Sequence, residues 1–139
     1  MTVNRESKEK YEGLLKEAVK ASKNAYAPYS DFKVGAALLS KNGKVFTGCN
    51  VENVSFGLSN CAERTAVFKA ISEGVREFEA IAIYADIEEY ISPCGACRQV
   101  LMEFNPGMII ICGCRDGSYK TKRLIELLPG AFMRKELQK

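Results

Sequence analysis

Histidine is missing from all 139 residues. That absence removes Ser-His-Asp and Cys-His nucleophile systems, imidazole general bases and every His-ligated metal site. Excess charge is also scarce. Twenty basic residues against 17 acidic ones leave +3, too little to make nucleic acid or an acidic membrane surface the main partner. Apolar runs are short: residues 34–39 and 80–85 extend for six residues each, against the about 20 needed to span a bilayer. The opening Met1-Thr2-Val3-Asn4-Arg5-Glu6-Ser7-Lys8-Glu9 has no apolar signal core, so a cytoplasmic protein is expected. No repeat, low-complexity tract or linker divides the chain, and a single domain is expected over 1–139. What remains is ordinary globular composition, 47% hydrophobic and 27% charged, in a chain long enough to bury roughly two-thirds of its unfolded surface. It also holds six cysteines. In a reducing compartment such a set points to metal binding or catalysis more than to a disulfide frame.

Hydrophobic periodicity predicts a first helix over residues 5–25, with Leu14, Leu15, Ala18, Val19 and Ala21 on one face. Strands are expected at 32–39 and 45–49, joined through Asn42-Gly43, a strong hairpin signal. A helix follows over 61–73 with Gly74 at its stop, then a buried strand at 78–85. Ser92-Pro93 predicts the opening of another helix, with serine as N-cap and proline at the first helical position. Asn105-Pro106-Gly107 ends it near residue 104. A short strand over 108–112 and a helix near 124–128 complete the pattern. Strands alternating with helices after an opening hairpin imply a layered α/β domain with a mixed sheet.

Cys94 and Cys97 share one face at a helix start, and Cys61 sits at the start of the preceding helix. A 13-residue helix of about 20 Å and an eight-residue strand of about 26 Å return the chain to the same sheet edge. Three thiolates can therefore meet beside two positive helix ends, which favour ionised sulfur. Three protein ligands are the number expected at a catalytic zinc with an open fourth position. Cys49, Cys112 or Cys114 can in principle supply a fourth and make the site structural. Glu63 lies within reach of a metal-held water, although Asn60-x-x-Glu63 also has the form of a capping box. Cys-x-Glu combined with a distal Pro-Cys-x-x-Cys is the pattern of the zinc nucleobase deaminases, in its three-cysteine form.

The motifs Asn50-Val51-Glu52-Asn53, Cys61-Ala62-Glu63-Arg64-Thr65-Ala66 and Pro93-Cys94-Gly95-Ala96-Cys97-Arg98-Gln99 resemble the short, homotetrameric cytidine deaminases. Ala25-Tyr26-Ala27-Pro28-Tyr29-Ser30 and Leu127-Leu128-Pro129-Gly130-Ala131-Phe132 extend the match, in order, from about residue 14 to 132. The resemblance implies a three-layer α/β/α fold with a mixed central sheet. It implies one Zn²⁺ per chain held by Cys61, Cys94 and Cys97, a zinc-bound hydroxide as nucleophile, and Glu63 as proton shuttle. The reaction implied is hydrolysis of cytidine and 2′-deoxycytidine to the uridines with release of ammonia, as in pyrimidine salvage. Three thiolates on Zn²⁺ sum to −1, which calls for a nearby cation. The resemblance gives that role to Arg64, hydrogen-bonded to the ligand sulfurs, with Arg98 a second candidate. It places Asn50 and Glu52 at the ribose, Phe32 and Ala62 in the substrate site, and Phe132 across a subunit interface of a homotetramer. Phe56 stands where members of the family often carry tyrosine, which removes a hydroxyl from a neighbouring ribose pocket. Cys49, Cys112 and Cys114 are expected to be structural thiols, and Arg134-Lys135 a solvated end.

Three other readings stay open on sequence alone. Cys94-Gly95-Ala96-Cys97 at a helix start also fits a thiol-disulfide oxidoreductase, which leaves Cys61 and Glu63 without roles. A non-enzymatic zinc module needs a fourth ligand. A deaminase of another aminonucleoside, or of a base in RNA, shares the chemistry, but the chain lacks the basic-aromatic stripe of a nucleic-acid binder.

Overall fold

A computed structural model describes residues 5–134. Lys135, half of the expected basic end, lies outside the described residues. Helix α1 (Arg5–Ser22) leads to the hairpin β1 (Val34–Ser40) and β2 (Val45–Cys49). Then come α2 (Ala62–Ser72), β3 (Phe78–Ala85), α3 (Gly95–Met102), β4 (Ile109–Gly113), β5 (Tyr119–Arg123) and α4 (Leu124–Leu127). The five strands form one sheet in the order β2-β1-β3-β4-β5. β3 and β4 run parallel, while the remaining neighbours are antiparallel. The sheet is therefore mixed, as expected.

The strand pleat sorts side chains onto two faces. On one, Leu14, Leu15 and Ala18 of α1 cover Ala37, Leu39, Ala80, Ala82 and Ile111. On the other, Ala36, Leu38, Ile81, Ile83 and Ile110 are buried with Ala62, Ala66 and Val67 of α2, Leu101 and Met102 of α3, and Leu124 of α4. Two glycines set how closely the helices approach. A Cβ on Gly35 would lie 1.9 Å from the Ala18 carbonyl oxygen, and one on Gly48 would lie 2.4 Å from that of Ala62. Each position admits a helix backbone only because no side chain is there.

The Asn42-Gly43 hairpin closes with the Gly43 amide donating to the Ser40 carbonyl at 3.1 Å. α2 ends in a Schellman motif, in which Val75 N–H reaches Ala70 O at 3.0 Å and Gly74 N–H reaches Ile71 O at 3.0 Å. Three expectations are corrected. The N-cap of α3 is Cys94, so Ser92 and Pro93 lie before the helix, with Pro93 fully buried. The N-cap of α2 is Cys61, with no side-chain cap. Asn60 instead donates to Thr65 Oγ1 at 3.2 Å, so the capping-box form is not used. Finally, β5 was not expected: Tyr-Lys-Thr-Lys-Arg is a largely exposed edge strand without apolar alternation, its lysines suiting an unpaired edge.

Candidate active site

β2 and β3 both run out at the sheet edge where β1 begins, Val34 pairing with Ala85 and Gly35 with Cys49. α2 and α3 start there, so both helix N-termini point at one spot. Ligand sites at the carboxyl ends of strands follow from such topology. Cys61 and Cys94 are the two N-caps, each with extended backbone and no side-chain capping hydrogen bond. Cys97 lies in the first turn of α3 and is fully buried.

The Sγ atoms of Cys61, Cys94 and Cys97 all lie within 4.8 Å of one another, and Cys61 and Cys94 are 3.9 Å apart. Zinc–sulfur bonds of about 2.3 Å in tetrahedral geometry set sulfurs about 3.8 Å apart, so this donor set fits zinc. Among the described residues no further cysteine or carboxylate joins the group. Cys49, Cys112 and Cys114 are free thiols outside it, and Cys114 donates to Asp116 Oδ1 at 3.1 Å.

Electrostatics favour a thiolate within the cluster. The neighbouring Cys97 thiol, then the hydrogen bond from Arg64, lower the Cys61 thiol well below its ordinary range despite partial burial. The proximity of Cys61 and desolvation push Cys97 up. Arg64 Nη2 donates to Cys61 Sγ at 3.2 Å, and its own pKa is raised chiefly by that bond. Its buried Nε has no partner among the described groups.

Glu63, in the first turn of α2, is only 5% exposed. Desolvation raises its carboxyl to about 7, opposed first by its own backbone hydrogen bond, aided by repulsion from Cys61, and opposed further by Cys97 and Arg64. A carboxyl tuned to neutrality beside a thiolate cluster is suited to exchanging protons.

A cavity of about 190 Å³ opens on this centre, lined by Phe32, Val34, Asn50, Cys61, Ala62, Glu63, Ile91, Ser92 and Cys94. Phe32, Asn50, Ala62, Glu63 and two of the three sulfurs are thus brought together. Asn50 fixes the rim: Oδ1 accepts from Val34 N–H at 2.8 Å and Nδ2 donates to Phe32 O at 2.7 Å. Glu52 lies apart from the cavity wall, where its carboxylate accepts from Tyr29 N–H at 3.0 Å, Ser30 N–H at 3.1 Å and the Ser30 hydroxyl. Phe132 is 58% exposed and does not line the cavity. Arg98 makes no contact with the sulfurs and turns instead to backbone carbonyls. Val34, Ile91 and Ser92 were missed as lining residues. Only the position of Ser92, two before Cys94, carried any signal.

Three sulfurs that fit zinc, next to a neutral-range carboxyl in an open pocket, define a metal-dependent hydrolase of the α/β class. The profile of the cytidine and deoxycytidylate deaminase zinc-binding region matches residues 8–113. A cytidine deaminase of Sporosarcina psychrophila is 50% identical over 127 residues, 91% of this chain and 93% of that protein. One from Halalkalibacterium halodurans is 52% identical over 125 residues, 89% and 95% of the two chains. The crystal structure of cytidine deaminase from Burkholderia pseudomallei superposes with a TM-score of 0.84 at 50% identity, covering 86% of this chain and 97% of that one. The chain belongs to the zinc-binding cytidine and deoxycytidylate deaminase family.

Proposed function

We propose that the chain catalyses hydrolytic deamination of cytidine and 2′-deoxycytidine, giving uridine and 2′-deoxyuridine with release of ammonia. The observation that carries this reading is the convergence of three sulfurs and the buried Glu63 carboxyl on one aromatic-lined cavity. The names of the similar proteins support the substrate class. Cys61, Cys94 and Cys97 would hold zinc, which when bound supplies the Lewis-acid chemistry that makes water nucleophilic near neutrality. Glu63 is the one carboxyl on the cavity wall among the described residues. It accepts one proton of the attacking water as the C4–O bond forms and passes that proton to N3 of the pyrimidine. It then takes the remaining proton of the added hydroxyl and gives it to the amino group, so that the C4–N bond breaks, ammonia leaves and C4 becomes a carbonyl. Burial raises its carboxyl, in the metal-free site, to about 7, which favours one group serving as base and then acid.

Phe32 offers a face for the base, and the small Ala62 leaves room beside it. Asn50 keeps a second N–H and a second lone pair for a ribose hydroxyl while it holds the rim. Glu52 accepts three hydrogen bonds, leaving about one lone-pair site free for a ribose hydroxyl. Arg64 offsets the negative charge of the thiolates through its bond to Cys61.

The finer parts of the reading are a homotetramer with sites at subunit interfaces, to which Phe132 contributes, and a cytoplasmic role in pyrimidine salvage. Assembly is supported by Val54, Phe56 and Leu58, each more than 70% exposed beside the Tyr29 turn, an apolar surface of the kind interfaces cover. Sedimentation at micromolar concentration tests it, and a monomer at all concentrations would refute it. The activity is tested by ultraviolet assay of cytidine on protein of measured zinc content, with cytosine base as control. About one zinc per chain and turnover of the nucleosides are expected. A metal-free, readily oxidised Cys94–Cys97 pair without turnover would overturn the proposal in favour of redox chemistry.

A further inference from the structure

Cys94 is the least anchored of the three sulfur residues. Cys97 sits within the helical ladder of α3 and Cys61 is held by Arg64. Cys94 is exposed, and its N-cap backbone lies half outside the helix, so the ladder alone does not fix the direction from which the chain enters. The peptide that leads into it has a partner nonetheless. Arg98 Nε donates to the Pro93 carbonyl at 2.8 Å and Nη2 to Ser92 Oγ at 3.0 Å. The third nitrogen, Nη1, reaches the carbonyl of Leu127, 29 residues away, at 2.8 Å. Next to it, Gln99 Nε2 donates to the Phe132 carbonyl at 2.8 Å. Two adjacent side chains of α3 thus hold both ends of the stretch 127–132.

We infer that Arg98 is a positioning residue for the metal centre: its guanidinium clamps the Ser92–Pro93 approach to Cys94 onto the Leu127 carbonyl, tying the placement of a ligand sulfur to the docking of the C-terminal segment. The inference rests on the zinc reading above. The physical argument is the shape of the fork. A guanidinium presents rigid, coplanar donors that bind three fixed acceptors at once, whereas an ammonium on a flexible stem supplies the same charge without that geometry. Groups of this kind, which orient ligands without touching the metal, are commonly worth about 10–100-fold in metal affinity.

The test measures zinc transfer from loaded protein to a colorimetric chelator, together with the sulfur-to-metal absorption of the Co²⁺-substituted protein. Amide exchange over residues 127–132 is followed in parallel. R98M is expected to speed zinc loss by about 10–100-fold, shift the charge-transfer band, and raise exchange in the C-terminal stretch. R98K keeps the charge and should restore little of this. S92A removes one of the three bonds and should give a smaller change in the same direction, which keeps the inference testable if R98M does not fold. Q99L should loosen the segment near Phe132 while zinc leaves at the wild-type rate. Wild-type zinc retention in R98M or, with R98M impaired, full rescue by R98K would overturn the clamp alone. A wild-type chain that takes up no zinc would overturn the metal reading and the clamp with it.

Discussion

The two faces of the sheet are built from the same strands but serve different ends. Toward α1, β3 presents Ala80 and Ala82, β1 presents Ala37 and Leu39, and the layer closes with Leu14, Leu15 and Ala18. The fully buried members of this cluster are apolar, with Tyr11, Tyr84 and Tyr119 packed at its margin, and its helix rides close to the strand at Gly35. Toward α2 and α3 the isoleucines of β3 fill the space, but the N-terminal ends of both helices bring in a buried carboxyl, three sulfurs and an arginine whose Nε has no partner among the described residues. Burying such groups costs stability unless they are paired. The chemistry is carried by the polar end of one face, and the other face supplies stability without touching substrate.

That division can be broken or sharpened by substitution. Leu15 is 3% exposed under α1. Leu15→Ala should cost about 2–5 kcal/mol in urea unfolding while the folded enzyme keeps its kcat, and a kcat loss without a stability loss would break the division. Glu63→Gln should do the reverse, lowering turnover at least about 100-fold, the lower range for a general acid-base group, with zinc and fold retained. Near-normal turnover with zinc bound would remove Glu63 from the reaction.

The two glycines make the sharpest pair, because the same clash falls on opposite faces. Gly35→Ala and Gly48→Ala should each cost about 1–3 kcal/mol as a helix is pushed away. Only Gly48→Ala displaces the Ala62 backbone between Cys61 and Glu63, so only it should also change kcat or zinc affinity. Identical kinetics in the two would erase the distinction. The smallest effect belongs to Glu52. Its carboxyl is held below the ordinary 4.5, chiefly by the hydrogen bond from Ser30. A depressed folded pKa adds stability above the ordinary value that is lost as pH falls through the lowered one. Acid unfolding of Glu52→Gln should therefore show a slightly flatter pH dependence than that of the parent, and superimposable curves would assign the turn no such role.

Much of this was legible in the sequence, and the exceptions share a cause. β2 and β3 were expected at their observed bounds, because a hairpin turn and an unbroken apolar run are local signals. The sulfur triad was legible because helix and strand lengths determine where the chain returns. β5 was not, since its ladder to β4 supplies what its charged side chains do not. The start of α3 lies later than expected because Ser92-Pro93 has the form of a helix opening, yet tertiary structure puts Ser92 in the cavity wall and makes both residues acceptors for Arg98. In the sequence Arg98 offers only a charge beside Cys97. Its Leu127 acceptor is a backbone carbonyl 29 residues away, which no residue type announces.

The claim on which the reaction depends is that three sulfurs, and no fourth protein ligand, hold the metal. X-ray absorption on the zinc-loaded protein measures this directly. Three sulfur scatterers at about 2.3 Å and one oxygen-type scatterer at about 2.0 Å are the result the account predicts. Four sulfurs, drawing in Cys49, Cys112 or Cys114, would make the centre structural and contradict it.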